Sequence, residues 1–130
     1  MNSKQKGDIS ESVVLAHLVK KGLAVAIPFG NNHRFDLLVE LDGVFKRVQV
    51  KTGRIRSGSL EFNTTSVNGV TGARTQYSEK EIDLFLIYCP ENGKIYRFPA
   101  GSTGRCDRRL RIEPVSRKFK NVRWATDFEF

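Results

Sequence analysis

The stretch from His33 to Gly53 constrains this chain more than any other, because it reads as two apolar strand-type runs joined by Asp42-Gly43. An Asp-Gly pair in that setting is a strong short-range signal for a tight hairpin turn. A hairpin brings its outer ends side by side, so Asp36 near the start of the first strand comes within reach of Gln49 and Lys51 near the end of the second. Side chains alternate along a strand, which puts Gln49 and Lys51 on one face and Val48 and Val50 on the other. One carboxylate, one amide oxygen and one ammonium are thereby predicted to converge at a strand edge that faces away from the apolar core.

Ahead of the hairpin, the pattern from about Ser3 to Lys21 is helical and ends at Gly22, a residue suited to the left-handed conformation that closes a helix. Advancing about 100° per residue, Lys6, Ser10, His17, Lys20 and Lys21 fall on one side, and Ile9, Val14, Leu15, Leu18 and Val19 spread over the other. Among these lysines, His17 reads as a solvated surface residue. Glu11 falls on the apolar side, between Gly7, Leu15 and Leu18. A carboxylate facing a core is costly unless a cation, a metal or a proton accompanies it. A buried ion pair, a partly solvated edge position and a functional carboxylate all remain open on this feature alone.

Asp36, a hairpin, then Gln49-Val50-Lys51 resembles the PD-(D/E)XK nuclease superfamily, whose signature is an acidic residue, a variable interval, and acid-X-Lys on the next strand. The residue before Asp36 is Phe35 rather than Pro, and Gln49 stands in the second acidic position. That Gln is similar to the variant of the cyanobacterial group I intron homing-endonuclease type, a chain of comparable size. The resemblance extends to a Gly-x-x-x-Glu pattern, Gly7 to Glu11, and to a buried strand near Leu84 to Tyr88. It implies an α/β fold with a restriction-endonuclease-like core, a mixed β-sheet flanked by helices, and it favours the functional reading of Glu11.

The family's roles fall on matching positions. The resemblance implies a divalent cation, Mg2+ with Mn2+ able to substitute, held by Asp36, the Gln49 side-chain oxygen, the Val50 carbonyl and Glu11. Magnesium prefers oxygen ligands and keeps several waters, so few protein groups suffice. Lys51 would orient the attacking water and offset charge developing on the phosphoryl oxygens. Catalytic candidates are therefore Glu11, Asp36, Gln49 and Lys51.

Length and charge bound the rest. At 130 residues the chain is expected to be one domain, 1–130, with one real core but little surface for a large substrate, so oligomerisation would enlarge it. A net charge of +8 with a pI near 9.8 fits a polyanionic partner, with a membrane surface as the competing reading. No apolar run approaches a bilayer-spanning length, and Met1 to Lys6 lacks a following signal-peptide core. The expectation is a soluble intracellular protein, cytoplasmic and without a membrane partner. Cys89 and Cys106 form no recognisable metal or redox spacing and read as reduced thiols.

Along the chain, Leu23 to Pro28 reads as a strand with Leu23, Val25 and Ile27 on one face. After Gly53, Gly58 turns the chain and a strand is expected around Leu60 to Thr64, with Arg54 and Arg56 either where a phosphate backbone passes or at an ordinary solvated strand end. Ser66 to Gln76, rich in Gly, Thr and Asn and carrying Arg74, is expected to be a loop. Tyr77 to Asp83 supplies a short acidic turn or helix before Leu84 to Cys89, a strand buried on both faces. Pro90 to Gly93 turns into an antiparallel partner at Ile95 to Phe98.

Between Arg105 and Arg123 the sequence has eight Lys or Arg against Asp107 and Glu113, most of the chain's positive excess. Interleaved Leu110, Ile112, Val115, Phe119 and Val122 suggest that one side packs while the other meets phosphates, with a plain solvated face as the alternative. The DNA-contact candidates are Arg54, Arg56, Arg74, Arg105, Arg108, Arg109, Arg111, Lys118 and Lys120. Trp124, Phe128 and Phe130 form an aromatic tail that covers the core or makes a subunit contact. The function implied is a metal-dependent, site-specific endonuclease of homing type acting on double-stranded DNA as a homodimer or homotetramer. A Holliday-junction resolvase and a nuclease-fold nucleic-acid-binding module without catalysis are the alternatives.

Overall fold

In the computed structural model, Asn2 caps the first helix, α1 (Ser3–Lys20): its side chain accepts from the Gln5 N–H while Gln5 Oε1 accepts from the Asn2 N–H. Gly22 closes the helix with φ 78°, as its position predicted. The structure describes residues 1–30, 32–67, 70–101, 107–114 and 122–130, with backbone alone at 67, 107 and 108. The first strand, β1 (Val25–Ala26), is shorter than the expected Leu23–Pro28. Leu23 and Val25 still pack inward, but Pro28 has no N–H to extend a ladder and Ile27 is exposed.

Asp42 and Gly43, both at positive φ (52° and 82°), turn β2 (Leu37–Leu41) tightly into β3 (Val44–Thr52). The chain continues through β4 (Arg54–Arg56), β5 (Ser59–Asn63), β6 (Thr65–Val67), β7 (Arg74–Gln76), β8 (Leu84–Cys89), β9 (Lys94–Pro99) and β10 (Asp107–Arg111). The main sheet is mixed, in the order β1-β2-β3-β8-β9, with β3 and β8 parallel and the other pairs antiparallel. Among the described residues α1 is the one α-helix, and it covers one face of this sheet. A second sheet, β10-β5-β4, takes part in covering the other face. Gly53 carries the chain from one sheet to the next, where a Cβ would sit 2.7 Å from Leu60 Cδ1 and 2.8 Å from Ile87 Cγ2.

Two apolar cores result. Val48 and Val50 meet Val14 and Leu18 of α1 together with Leu84 and Leu86, while Phe85 and Ile87 face Leu60, Phe62, Phe98 and Leu110 on the opposite side. β8 is buried on both faces, as its unbroken apolar run predicted. The face of β3 that carries Gln49 and Lys51 is therefore not turned away from apolar packing: its end lies beside the second core.

Other expectations change. The buried line of α1 is Ser10, Val14 and Leu18, whereas Ile9 and Val19 are exposed. Ser10 is tolerated there because its hydroxyl pairs with Thr52. His17 is half-buried rather than solvated, its Nε2 2.8 Å from the Phe130 carbonyl oxygen. The expected loop at Ser66 to Gln76 contributes instead to the hairpin β6–β7, paired Thr65 to Gln76, Ser66 to Thr75 and Val67 to Arg74. β-Branched residues on both arms suit that pairing. Tyr77 to Asp83 forms a turn gripped by Arg47, whose guanidinium donates to the carbonyls of Lys80 and Glu79 and to Asp83. In the aromatic tail, Phe128 packs on the second core and Phe130 on the first, which favours covering the core. Cys89 is a buried free thiol, and Cys106 lies outside the described residues. No helix among the described residues is long and apolar enough to cross a membrane.

Candidate active site

The site is built where β2 stops and β3 runs on. Asp36 N donates to Val48 O at 2.8 Å, and the Asp36 side chain then takes the next donor along, accepting from Val50 N at 2.8 Å. A carboxylate thus replaces a ladder partner and is fixed against β3. The N–H and C=O of one strand residue point the same way, so the Val50 carbonyl also faces this gap. Register places Gln49 opposite Phe85 and Lys51 opposite Ile87, on the side away from α1. Among the described residues the Gln49 side chain makes no hydrogen bond, leaving its amide oxygen available. Lys51 Nζ donates to Thr65 O at 2.8 Å and lies 4.9 Å from the centre of the Tyr77 ring.

Glu11 approaches from α1 and meets Asp36. Glu11 is exposed rather than turned to the core, yet partial desolvation of its carboxyl and then the neighbouring Asp36 charge push it up to about 7, so the two carboxylates compete for ionisation. Burial also raises Asp36, opposed by the Val50 N–H and the Lys51 charge. Desolvation brings Lys51 down to about 8, with Asp36 acting against the shift and Arg34 adding to it. The two facing carboxylates, with the Val50 carbonyl bordering the same gap, offer oxygen donors of the kind hard divalent cations prefer, while register alone places Gln49 on the Lys51 face of β3. The described residues contain no cluster of three His, Cys, Asp or Glu able to hold a metal. The carboxylates that meet here are those of Glu11 and Asp36.

Residues 1–130 match the PD-(D/E)XK endonuclease family over their whole length. The chain belongs to that family. It is also 27% identical over 103 residues to Protein 5.3 of Escherichia phage T7, spanning 77% of this chain and 86% of that protein. Its structure is similar to that of a bacterial homing endonuclease, I-Ssp6803I, with 25% identity and a TM-score of 0.77 over 99% of this chain and 89% of that one. PD-(D/E)XK nucleases generally use divalent metals, and the oxygen donors around Asp36 fit such an ion.

A cleft of about 810 Å3 opens at the end of β3; Ser10 and Thr52, the chain neighbours of Glu11 and Lys51, line it, but Glu11, Asp36, Gln49 and Lys51 themselves do not. Arg54, Arg56, Arg74 and Arg109 all line it, so four of the predicted DNA contacts come together on one concave surface. Lys6 of α1 joins them. Arg54 and Arg109 pair with Glu61 at 3.3 and 2.8 Å but remain largely exposed. Arg111 is placed differently: its guanidinium donates to the carbonyls of Ser57, Glu113 and Pro114, bracing the end of β10. Arg108 is described by its backbone in β10 alone, and Arg105, Lys118 and Lys120 lie outside the described residues.

Sequence reasoning missed Arg34, Tyr77, Ser10 and Thr52, which surround the quartet. Only Arg34 carried a sequence signal, being a cation two residues before Asp36; Tyr77 opened the segment read as a short acidic turn or helix.

Proposed function

We propose that this endonuclease is a metal-dependent, site-specific enzyme of homing type that hydrolyses phosphodiester bonds in double-stranded DNA. The observation that carries the reading is the Asp36 carboxylate clamped on Val50 N with Glu11 and Lys51 beside it. The similarity to a bacterial homing endonuclease supports the choice of substrate type.

In this reading Asp36, the Gln49 amide oxygen, the Val50 carbonyl and Glu11 would hold Mg2+, or Mn2+ in its place. A bound divalent cation polarises a phosphoryl oxygen and lowers the pKa of water. Asp36, held by β3, supplies negative charge without needing to reorganise. Gln49 adds an oxygen donor with no further charge. Lys51, fixed at one N–H by Thr65, keeps its other donors for the attacking water and a non-bridging phosphate oxygen. The arginines of the adjoining cleft hold the strand on either side through its phosphates, which positions without reading sequence. One site cuts one strand, so a duplex break calls for a homodimer or homotetramer.

The deciding assay incubates the protein with Mg2+ or Mn2+ and supercoiled plasmid, linear duplex or a four-way junction, with Lys51→Ala as control. Discrete Lys51-dependent duplex products are expected. Symmetric cutting confined to the junction would make the enzyme a resolvase. DNA binding with no cleavage of any substrate in either metal would favour a binding module.

A further inference from the structure

We propose that Arg34 is a positioning residue for Lys51, acting through the ring of Tyr77 and the β6–β7 hairpin. The inference rests on the reading of Lys51 as an active-site group. Tyr77 is nearly buried and meets Phe85 edge-on, with ring centres 5.8 Å apart at 81°. Two cations share its ring: the Arg34 guanidinium carbon 4.2 Å from the ring centre and Lys51 Nζ at 4.9 Å. Planar guanidinium stacks on an aromatic face and so fixes the ring's tilt as well as its place.

Arg34 is itself held from two directions. Its Nη1 donates to Ser66 Oγ at 2.7 Å, and its Nε lies 2.7 Å from Glu81 Oε2, although that N–H is not aligned for a hydrogen bond. Ser66 follows Thr65, whose carbonyl takes one proton of Lys51, and Tyr77 N donates to Thr64 O. Arg34 therefore ties together the two things that define where the Lys51 ammonium sits: a carbonyl oxygen and a ring face. Its Nε and Nη2 are sealed from solvent and its Nη1 is held by Ser66, so although the side chain is 33% exposed its donors are enclosed or engaged within the fold, unlike those of the exposed Arg56 on the cleft. A group whose donors are enclosed or engaged within the fold and that contacts both supports of Lys51 acts through Lys51.

Two measurements on the full chain test this. The first is a single-turnover cleavage cycle with Arg34→Met, Lys51→Ala and the double variant. Arg34→Met is expected to slow cleavage on the order of tenfold to a hundredfold while DNA affinity stays within about twofold, and to cost nothing more in the Lys51→Ala background. The second needs no cleavage: the Lys51 side-chain methylene protons, assigned by their loss in Lys51→Ala, should be shifted upfield by the Tyr77 ring. That shift should vanish in Tyr77→Leu and shrink in Arg34→Met.

Arg34→Lys keeps the charge facing Glu81 but cannot lie flat on the ring, so it should behave like Arg34→Met and covers the case in which the methionine variant does not fold. An unchanged Lys51 shift in folded Arg34 variants would overturn the proposal, as would an equal loss of rate with or without Lys51 or a loss confined to DNA affinity. If the wild-type protein cleaves no DNA, the nuclease reading fails, and the spectra alone decide the role of Arg34.

Discussion

Ser10 Oγ and Thr52 Oγ1 lie 2.5 Å apart where α1 crosses the end of β3, one residue from Glu11 on the helix and one from Lys51 on the strand. The pair is asymmetric, because Ser10 is buried and Thr52 is exposed. Ser10→Ala leaves a threonine that water can reach and should cost about 1 kcal/mol. Thr52→Val strands a buried serine hydroxyl and should cost about 1–3 kcal/mol. Chemical denaturation of both variants checks the order. Cleavage should fall in both, since the bond sets where Glu11 meets Asp36.

Glu11 makes the metal-free protein sensitive to pH. Its folded value, about 7, lies above the ordinary 4.5, so the folded state binds the proton more tightly. This group's contribution to stability is full below the ordinary value and is lost as pH rises through about 7. Thermal unfolding without divalent ions should thus show a decline across that window that Glu11→Gln removes. Adding Mg2+ should stabilise the wild type most at the alkaline end, where both carboxylates are free to take it. A Mg2+ effect that does not grow with pH would argue against Glu11 and Asp36 holding the ion together.

Lys51→Ala and Asp36→Asn should separate chemistry from binding. Each is expected to reduce cleavage on the order of a hundredfold to a thousandfold, with DNA affinity nearly unchanged. Asp36→Asn keeps an oxygen able to accept from Val50 N, so its fold should persist; filter binding and circular dichroism would establish both points.

The cleft arginines should behave in the opposite way. Arg56→Gln and Arg74→Gln are expected to weaken binding to all duplex sequences alike and to reduce the slope of log affinity against log salt by about one each. A salt titration of either variant with unchanged slope would remove that residue from the DNA surface.

Gly53→Ala should destabilise the protein by about 1–3 kcal/mol. The added methyl would meet Leu60 and Ile87 side chains that the second core holds in place. Equilibrium unfolding measures this directly.

Much of the site was legible because it depends on short-range rules. The Asp42-Gly43 turn sets how Asp36 faces Gln49 and Lys51, and strand alternation decides which side chains share a face. What was not legible depends on contacts between distant segments. Ile9 and Val19 looked like core residues and Ser10 did not, because helical spacing reveals an apolar arc but not which line along it the sheet will press against. The β6–β7 hairpin has too few apolar residues to announce itself, and it forms around Tyr77, whose burial the local sequence cannot show. Arg34 and Glu81 are brought together by that packing, and nothing in their own neighbourhoods predicts it.

The two-sided burial of β3 bears on how the protein can fail. Parity along this strand assigns Val48 and Val50 to the helix side and Gln49 and Lys51 to the other. A slip of one residue against β2 would exchange them, setting an ammonium among Val14 and Leu18 and a valine beside Asp36. The same error that unseats the hydrophobic core would dismantle the carboxylate–lysine constellation, so a mispaired chain would be at once unstable and disarmed.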